Sequence, residues 1–147
     1  MTTDTVDTEV TRVKELEKLG KIKVETELVD LSYRRIQVDK TKLVIVEFQL
    51  KRAIAPEEAG DVAALTAEFI KTFVRPKEDE VVAISGRGPI YLYLIIQHKI
   101  AHLVTMFGQY DPKINGVVLT AVHYAEGYRE GQVVKLPEEM KAELPQT

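Results

Sequence analysis

Val81-Val82-Ala83-Ile84-Ser85-Gly86-Arg87-Gly88-Pro89 is the stretch that decides the fold. Four consecutive apolar residues, mostly β-branched, read as a short strand buried on both faces of a sheet. Two glycines then allow a tight turn, and Pro89 suits the first turn of a helix because its φ is already set. Strand, glycine turn and helix in succession are the mark of an α/β unit. Working outward, the spacing predicts a helix over 89–103, a strand over 105–110, and a turn over 111–116 whose strongest local signal is Asn115-Gly116. A strand over 117–122 returns antiparallel, and 133–136 forms a last short strand.

Upstream, Leu43 to Leu50 reads as a strand. Pro56-Glu57-Glu58 opens a helix, with acids near its positive dipole end. Val62, Leu65, Phe69, Ile70 and Phe73 mark its buried face, and Arg75-Pro76 ends it. Lys21 to Val38 alternates well enough for one or two strands. Val10, Val13, Leu16 and Leu19 recur at helical spacing before Gly20. The expected architecture is a single α/β domain over 33–147, preceded by an N-terminal extension over 1–32. Its sheet is expected to be mixed but mostly parallel and Rossmann-like, with helices packed on it through right-handed crossovers and a C-terminal hairpin.

A chain of 147 residues, 45% hydrophobic and 29% charged, suits one substantial core. It has no cysteine, which excludes disulfides, thiolate catalysis and zinc–thiolate sites and fits a reducing, cytoplasmic setting. No apolar run approaches a membrane span, and the polar, acidic start is no secretory signal. A net charge of −3 argues against long duplex DNA as a partner. A small anion held by a few amides and cations remains compatible with it.

Ser85, Gly86, Arg87 and Gly88 form such a candidate cradle. Backbone amides approach an oxyanion at a glycine-bearing strand-to-helix turn, and a guanidinium at Arg87 can clamp a phosphate with two parallel bonds. A tight turn with a solvated arginine explains the same residues. The dinucleotide fingerprint lacks its third glycine here, and the Walker loop lacks Gly-Lys-Ser/Thr. His98 and His102 sit four apart, on one face of the expected helix. They can meet a metal or a substrate, or serve as ordinary surface and helix-end residues. Asp111 either stabilises its own turn or orients a reacting group. Lys113 and His123 add a cation and a third imidazole. Tyr91, Tyr93, Tyr110 and Tyr124 flank these positions, as base-stacking or core-edge residues.

Parallel strands at 81–84 and 105–110 put Ser85–Gly88 and Asp111–Asn115 at the same sheet edge, where open α/β sheets bind ligands. His102 lies thirteen residues past Pro89, roughly 20 Å at helical rise. His123 ends a strand of opposite direction. The histidines therefore belong to the far edge, and Asp111 meets them only if copies stack head to tail.

Ile84-Ser85-Gly86-Arg87-Gly88-Pro89-Ile90-Tyr91-Leu92, then His98, His102, Tyr110-Asp111-Pro112-Lys113, His123 and Glu130-Gly131 closely resemble one family. It is the small CRISPR-associated ring nucleases, accessory to type III CRISPR systems and built on a divergent Rossmann-like fold. The resemblance covers about residues 33 to 136. It implies a homodimer that binds cyclic tetra-adenylate between stacked dimers and cleaves it with manganese (Mn2+), which switches off signalling. It also implies kinship to manganese-dependent enzymes that trim adenylates from short RNA 3′ ends. By this resemblance His102 and Asp111 are catalytic, and Asp111, His102 and His123 are metal ligands. Ser85, Gly86, Arg87, Gly88, Lys113 and His123 bind substrate. Two departures stand out. Lys113 replaces an arginine, which removes bidentate phosphate contact, and Tyr124 replaces a smaller polar residue. An RNA 3′-end nuclease and a cyclic-oligoadenylate binding module without turnover remain the alternatives.

Overall fold

The computed structural model describes residues 22–123 and 125–140. The helical spacing noted at Val10–Leu19 falls outside these residues. Seven strands form one sheet in sequence order: β1 (Ile22–Glu25), β2 (Val29–Val38), β3 (Thr41–Leu50), β4 (Glu80–Ser85), β5 (Met106–Asp111), β6 (Gly116–Val122) and β7 (Val133–Lys135). Helix α1 (Pro56–Phe69) links β3 to β4, and α2 (Ile90–Ile100) links β4 to β5. A π turn over Ile70–Val74 continues α1, and a 3-10 turn over Glu138–Met140 follows β7.

The sheet is not the mostly parallel one expected. Only β3–β4 and β4–β5 are parallel, while β1–β2, β2–β3, β5–β6 and β6–β7 are antiparallel. The long hairpin of β2 with β3 accounts for much of the difference. Its ten residue pairs run from Val29↔Leu50 to Val38↔Thr41 around a tight turn in which Asp39 adopts φ 53.

Nor do helices cover both faces. Strand order advances from β3 to β4 to β5 in one direction, without the reversal of a doubly wound sheet. Two crossovers of the same hand then fall on one face. Accordingly Val62, Ala63 and Phe69 of α1 share a single apolar cluster with Leu92, Ile96 and Ile100 of α2, over Val44, Val46, Phe48, Val82 and Ile84. On the other face Leu43, Ile45, Val81, Ala83, Tyr110, Val117 and Leu119 form a second cluster. No helix covers it among the described residues. The sheet curls into a half-barrel around these side chains, and Leu136 and Met140, just past β7, pack into them. The Rossmann-like expectation is thus replaced by a two-layer mixed sheet.

The glycine turn and its strand form as read. β4 is buried along its whole length, as an all-apolar central strand must be. In α1, Pro56 occupies the first turn and the Glu58 carboxylate accepts from the Ala55 backbone N–H at 2.9 Å. Arg52 also bonds that carboxylate, and together these hold Glu58 down at a pKa of about 2. The segment between π turn and β4 is fastened by Arg35, whose Nε donates to Glu80 Oε2 at 2.8 Å while Nη2 donates to the Val74 carbonyl. Glu80 is buried, and its Oε1 also accepts from the Lys77 backbone N–H.

Candidate functional site

Parallel pairing brings the glycine loop and the Asp111 turn to one edge. Ile84 lies opposite Gln109, so β4 and β5 end side by side with Ser85 and Asp111 as their last residues. On the other flank Ser85 lies opposite Glu47 of β3. The loop is shaped by Phe48. A Cβ at Gly86 would sit 2.5 Å from the Phe48 carbonyl oxygen, and one at Gly88 would sit 3.1 Å from the Phe48 ring. The glycines therefore let the turn lie flat on β3, a role independent of any ligand. The Tyr93 hydroxyl donates to the Gly86 carbonyl, and its ring meets Phe48 edge-on with centroids 5.4 Å apart. Burial pushes the Tyr93 phenol up to about 12.

What the loop presents outward is Arg87, Gly88 and the start of α2. Arg87 is exposed and makes no hydrogen bond or ion pair among the described residues. The N-cap of α2 is Pro89, no side chain caps the helix, and its first turn has no acid. Its leading N–H groups and positive dipole end therefore carry neither a capping side chain nor a first-turn carboxylate. Ser85 differs. It is fully buried, and its Oγ has no partner among the described residues. The hydroxyl thus lies beneath the loop rather than on it.

Asp111 is half-buried, and its Oδ1 accepts from the Lys113 backbone N–H at 2.9 Å, closing an Asx turn. Lys113 is exposed beside it. Below, the Tyr110 hydroxyl donates to Asn115 Oδ1 at 2.8 Å, and Asn115 Nδ2 donates to the Leu136 and Pro137 carbonyls. Asn115 adopts the left-handed conformation, φ 45, which this side chain tolerates well. The turn that carries Asp111 and Lys113 is thereby locked to the strand after it.

The histidines lie elsewhere. α2 ends at Ile100 with Ala101 as its C-cap, short of the expected Leu103. His98 stays in the last helical turn, while His102 falls in the turn beyond, so the two do not share a helical face. His123 follows β6, and its backbone N–H donates to the Thr105 carbonyl at 2.8 Å, at the start of β5. The length of β5 separates this end from Asp111, roughly 20 Å at strand rise. All three histidines are exposed.

Carboxylate and imidazole together suit manganese. Among the described residues, however, no three His, Asp or Glu side chains are grouped to hold a metal ion. Asp111 with His102 and His123 do not fit such an ion within one chain. Sequence reasoning overlooked Phe48 and Glu47, whose relation to the loop arises only from the β3–β4 register. It offered Tyr93 as a base-stacking or core-edge residue without its bond to the Gly86 carbonyl.

These features define a mixed-sheet α/β protein whose parallel central strands lead, at one edge, to a glycine-bearing strand-to-helix loop. Comparison with known proteins gives the class a family. A match to the CRISPR-associated protein (Cas_csx3) family covers residues 47–135, and the chain belongs to that family. It is also similar to an uncharacterised protein of Aquifex aeolicus (strain VF5), 32% identical over 117 residues that make up 78% of this chain and 94% of the relative. The family span holds the loop, the Asp111 turn, His102 and His123. Its role is therefore CRISPR-associated. No helix among the described residues is long and apolar enough to cross a membrane.

Proposed function

We propose that this CRISPR-associated protein is a ring nuclease: it binds cyclic tetra-adenylate and cleaves it, ending the signal that the ring carries. The observation that carries the reading is the shared edge of the Ser85–Gly88 loop and the Asp111–Lys113 turn, with no acid in the first turn of α2 and no ion pair at Arg87 among the described residues. Arg87 and Lys113 bind ring phosphates, and the α2 amides add donors to the oxyanions. Asp111 acts at the scissile ribose, where it orients a 2′-hydroxyl or a water for attack on phosphorus. His102 and His123 come from the far edge of a second copy stacked head to tail, and protonate or orient the leaving oxygen. Where manganese binds, Asp111 of one copy and these imidazoles of the next would hold it in place of their acid–base role, and it would supply Lewis-acid stabilisation of the phosphorane charge.

The test is incubation with cyclic tetra-adenylate and manganese, followed by chromatography of products. Linear adenylates are expected from the parent and none from Asp111→Ala or His102→Ala. Parent-rate cleavage by both variants refutes the site. Small-angle scattering should show larger particles with ring than without. A second reading, binding without turnover, is favoured by the distance between Asp111 and the histidines in a single chain. Ring retained intact by stacked particles supports it. Preference for linear poly-adenylate over the ring would instead favour an RNA 3′-end nuclease.

A further inference from the structure

The edge opposite the glycine loop holds a groove of about 630 Å³. That volume suits one nucleoside-sized ligand and is too small for a nucleic-acid duplex. Its apolar lining comes from Ala101 and Val104 at the end of the α2–β5 turn and from Met106 at the start of β5. Tyr128 lines it too. The Tyr128 hydroxyl lies 3.2 Å from Thr41 Oγ1, which tethers the ring from the β2–β3 hairpin. His123 borders the same groove, its backbone tied to Thr105.

The polar lining narrows the ligand class. Lys40, Lys42, Glu78, Asp79 and Glu126 all contribute. Lys42 Nζ is paired with Asp79 Oδ2 at 2.8 Å, so these two charges offset each other. Glu78 and Glu126 then outnumber Lys40, which disfavours a phosphate here. A divalent cation is disfavoured as well, because these acids and His123 do not group as metal ligands. Carboxylates that accept, an ammonium that donates and an aromatic wall match the edge and face of a base with an exocyclic amine and ring nitrogens.

We propose that this groove is a nucleobase subsite for an amino-bearing purine, with the base against Tyr128, its amino group toward Glu126, and its phosphate left outside. The identity of the base as adenine rests on the ring-nuclease reading; the groove itself does not. In a head-to-tail stack the subsite reads the base while the glycine loop of the next copy holds the phosphate. Base recognition and phosphate recognition thus sit at opposite edges of one chain.

The experiment is titration of adenosine 5′-monophosphate and inosine 5′-monophosphate into the full 15N-labelled chain, followed by amide shifts. Inosine lacks the amino group. Saturable shifts at Thr105, His123 and Tyr128 are expected with the adenosine nucleotide, with inosine at least about tenfold weaker. Tyr128→Ala should weaken binding by roughly tenfold. Glu126→Ala, at an exposed residue that takes nothing from the core, should erase the preference for the amino base. Equal response to both nucleotides, shifts confined to Gly86–Gly88, or an unchanged preference in Glu126→Ala overturns the subsite. Failure of the parent to bind cyclic tetra-adenylate, with the adenosine shifts intact, refutes the ring-nuclease reading and leaves the subsite standing.

Discussion

Gly86→Ala isolates the steric demand on which the whole loop rests. The added Cβ would lie 2.5 Å from the Phe48 carbonyl oxygen and 2.8 Å from Phe48 Cδ1 and Cε1. The ring can tilt, but the carbonyl belongs to the central strand β3 and cannot retreat without disturbing the β3–β4 register. Overpacking of this kind costs about 2–3 kcal/mol. For a domain of this size that corresponds to a fall in melting temperature of roughly 5–10 °C. Urea denaturation of parent and variant measures it, with an unchanged m-value showing that the unfolded state is the same. A cycle with Phe48→Ala sharpens the test, since removal of the ring relieves two of the three contacts. The cycle should recover about 1 kcal/mol and leave the remainder, which belongs to the carbonyl. Gly88→Ala should cost about 1 kcal/mol or less, because its close neighbours at 3.1 Å are side-chain ends of Leu92 and Phe48. A Gly86→Ala variant within about 0.5 kcal/mol of the parent refutes the reasoning, as does full rescue by Phe48→Ala.

The Tyr93 phenol should titrate late, near 12, in ultraviolet difference spectra. Because its pKa is raised by folding, the associated stability is present below the ordinary value and lost as pH climbs from about 10 through 12. Tyr93→Phe should remove that late step and cost about 1 kcal/mol through the lost bond to Gly86. Glu58 shows the opposite sign. Its pKa is lowered, so its contribution holds above the ordinary carboxylate value and disappears as pH falls from about 4.5 to about 2. Side-chain carboxyl shifts should show the low titration, and Arg52→Ala should return it toward 4.5. Arg35→Ala leaves buried Glu80 without its cation and should lower stability by roughly 2 kcal/mol, below the usual range for a buried pair because the Arg35 side chain is 37% exposed. Arg35→Lys should rescue it only in part, since an ammonium cannot span both Glu80 and the Val74 carbonyl.

Local chemistry made much of this protein legible in its residue order. The apolar run Val81–Ile84 and the glycines after it could only be a buried strand and a tight turn, and both appear where expected. Pro56 with Glu57 and Glu58 marked the α1 start, and Arg75-Pro76 marked its end. The Asp111–Asn115 turn and the hairpin return were equally local. Placement of the loop and the histidines at opposite edges followed from strand direction alone. The α2 end was misread because Ala101, His102 and Leu103 form helix as readily as turn, and Leu103 N–H bonds only as far back as Ile100.

Tertiary structure alone decided the rest. Whether a sheet is mostly parallel depends on pairings between distant segments. The alternation in 21–38 carried no mark of the ten-pair match that joins β2 to β3. The curl that shelters Leu43, Ile45 and Tyr110 without a covering helix is a collective property of seven strands. So is the nearness of Phe48 to Gly86, two residues 38 positions apart that only the β3–β4 register brings into contact. Residue order sets what each segment can become; register and crossover direction set which side chains meet, because those are free-energy choices made by the whole sheet at once.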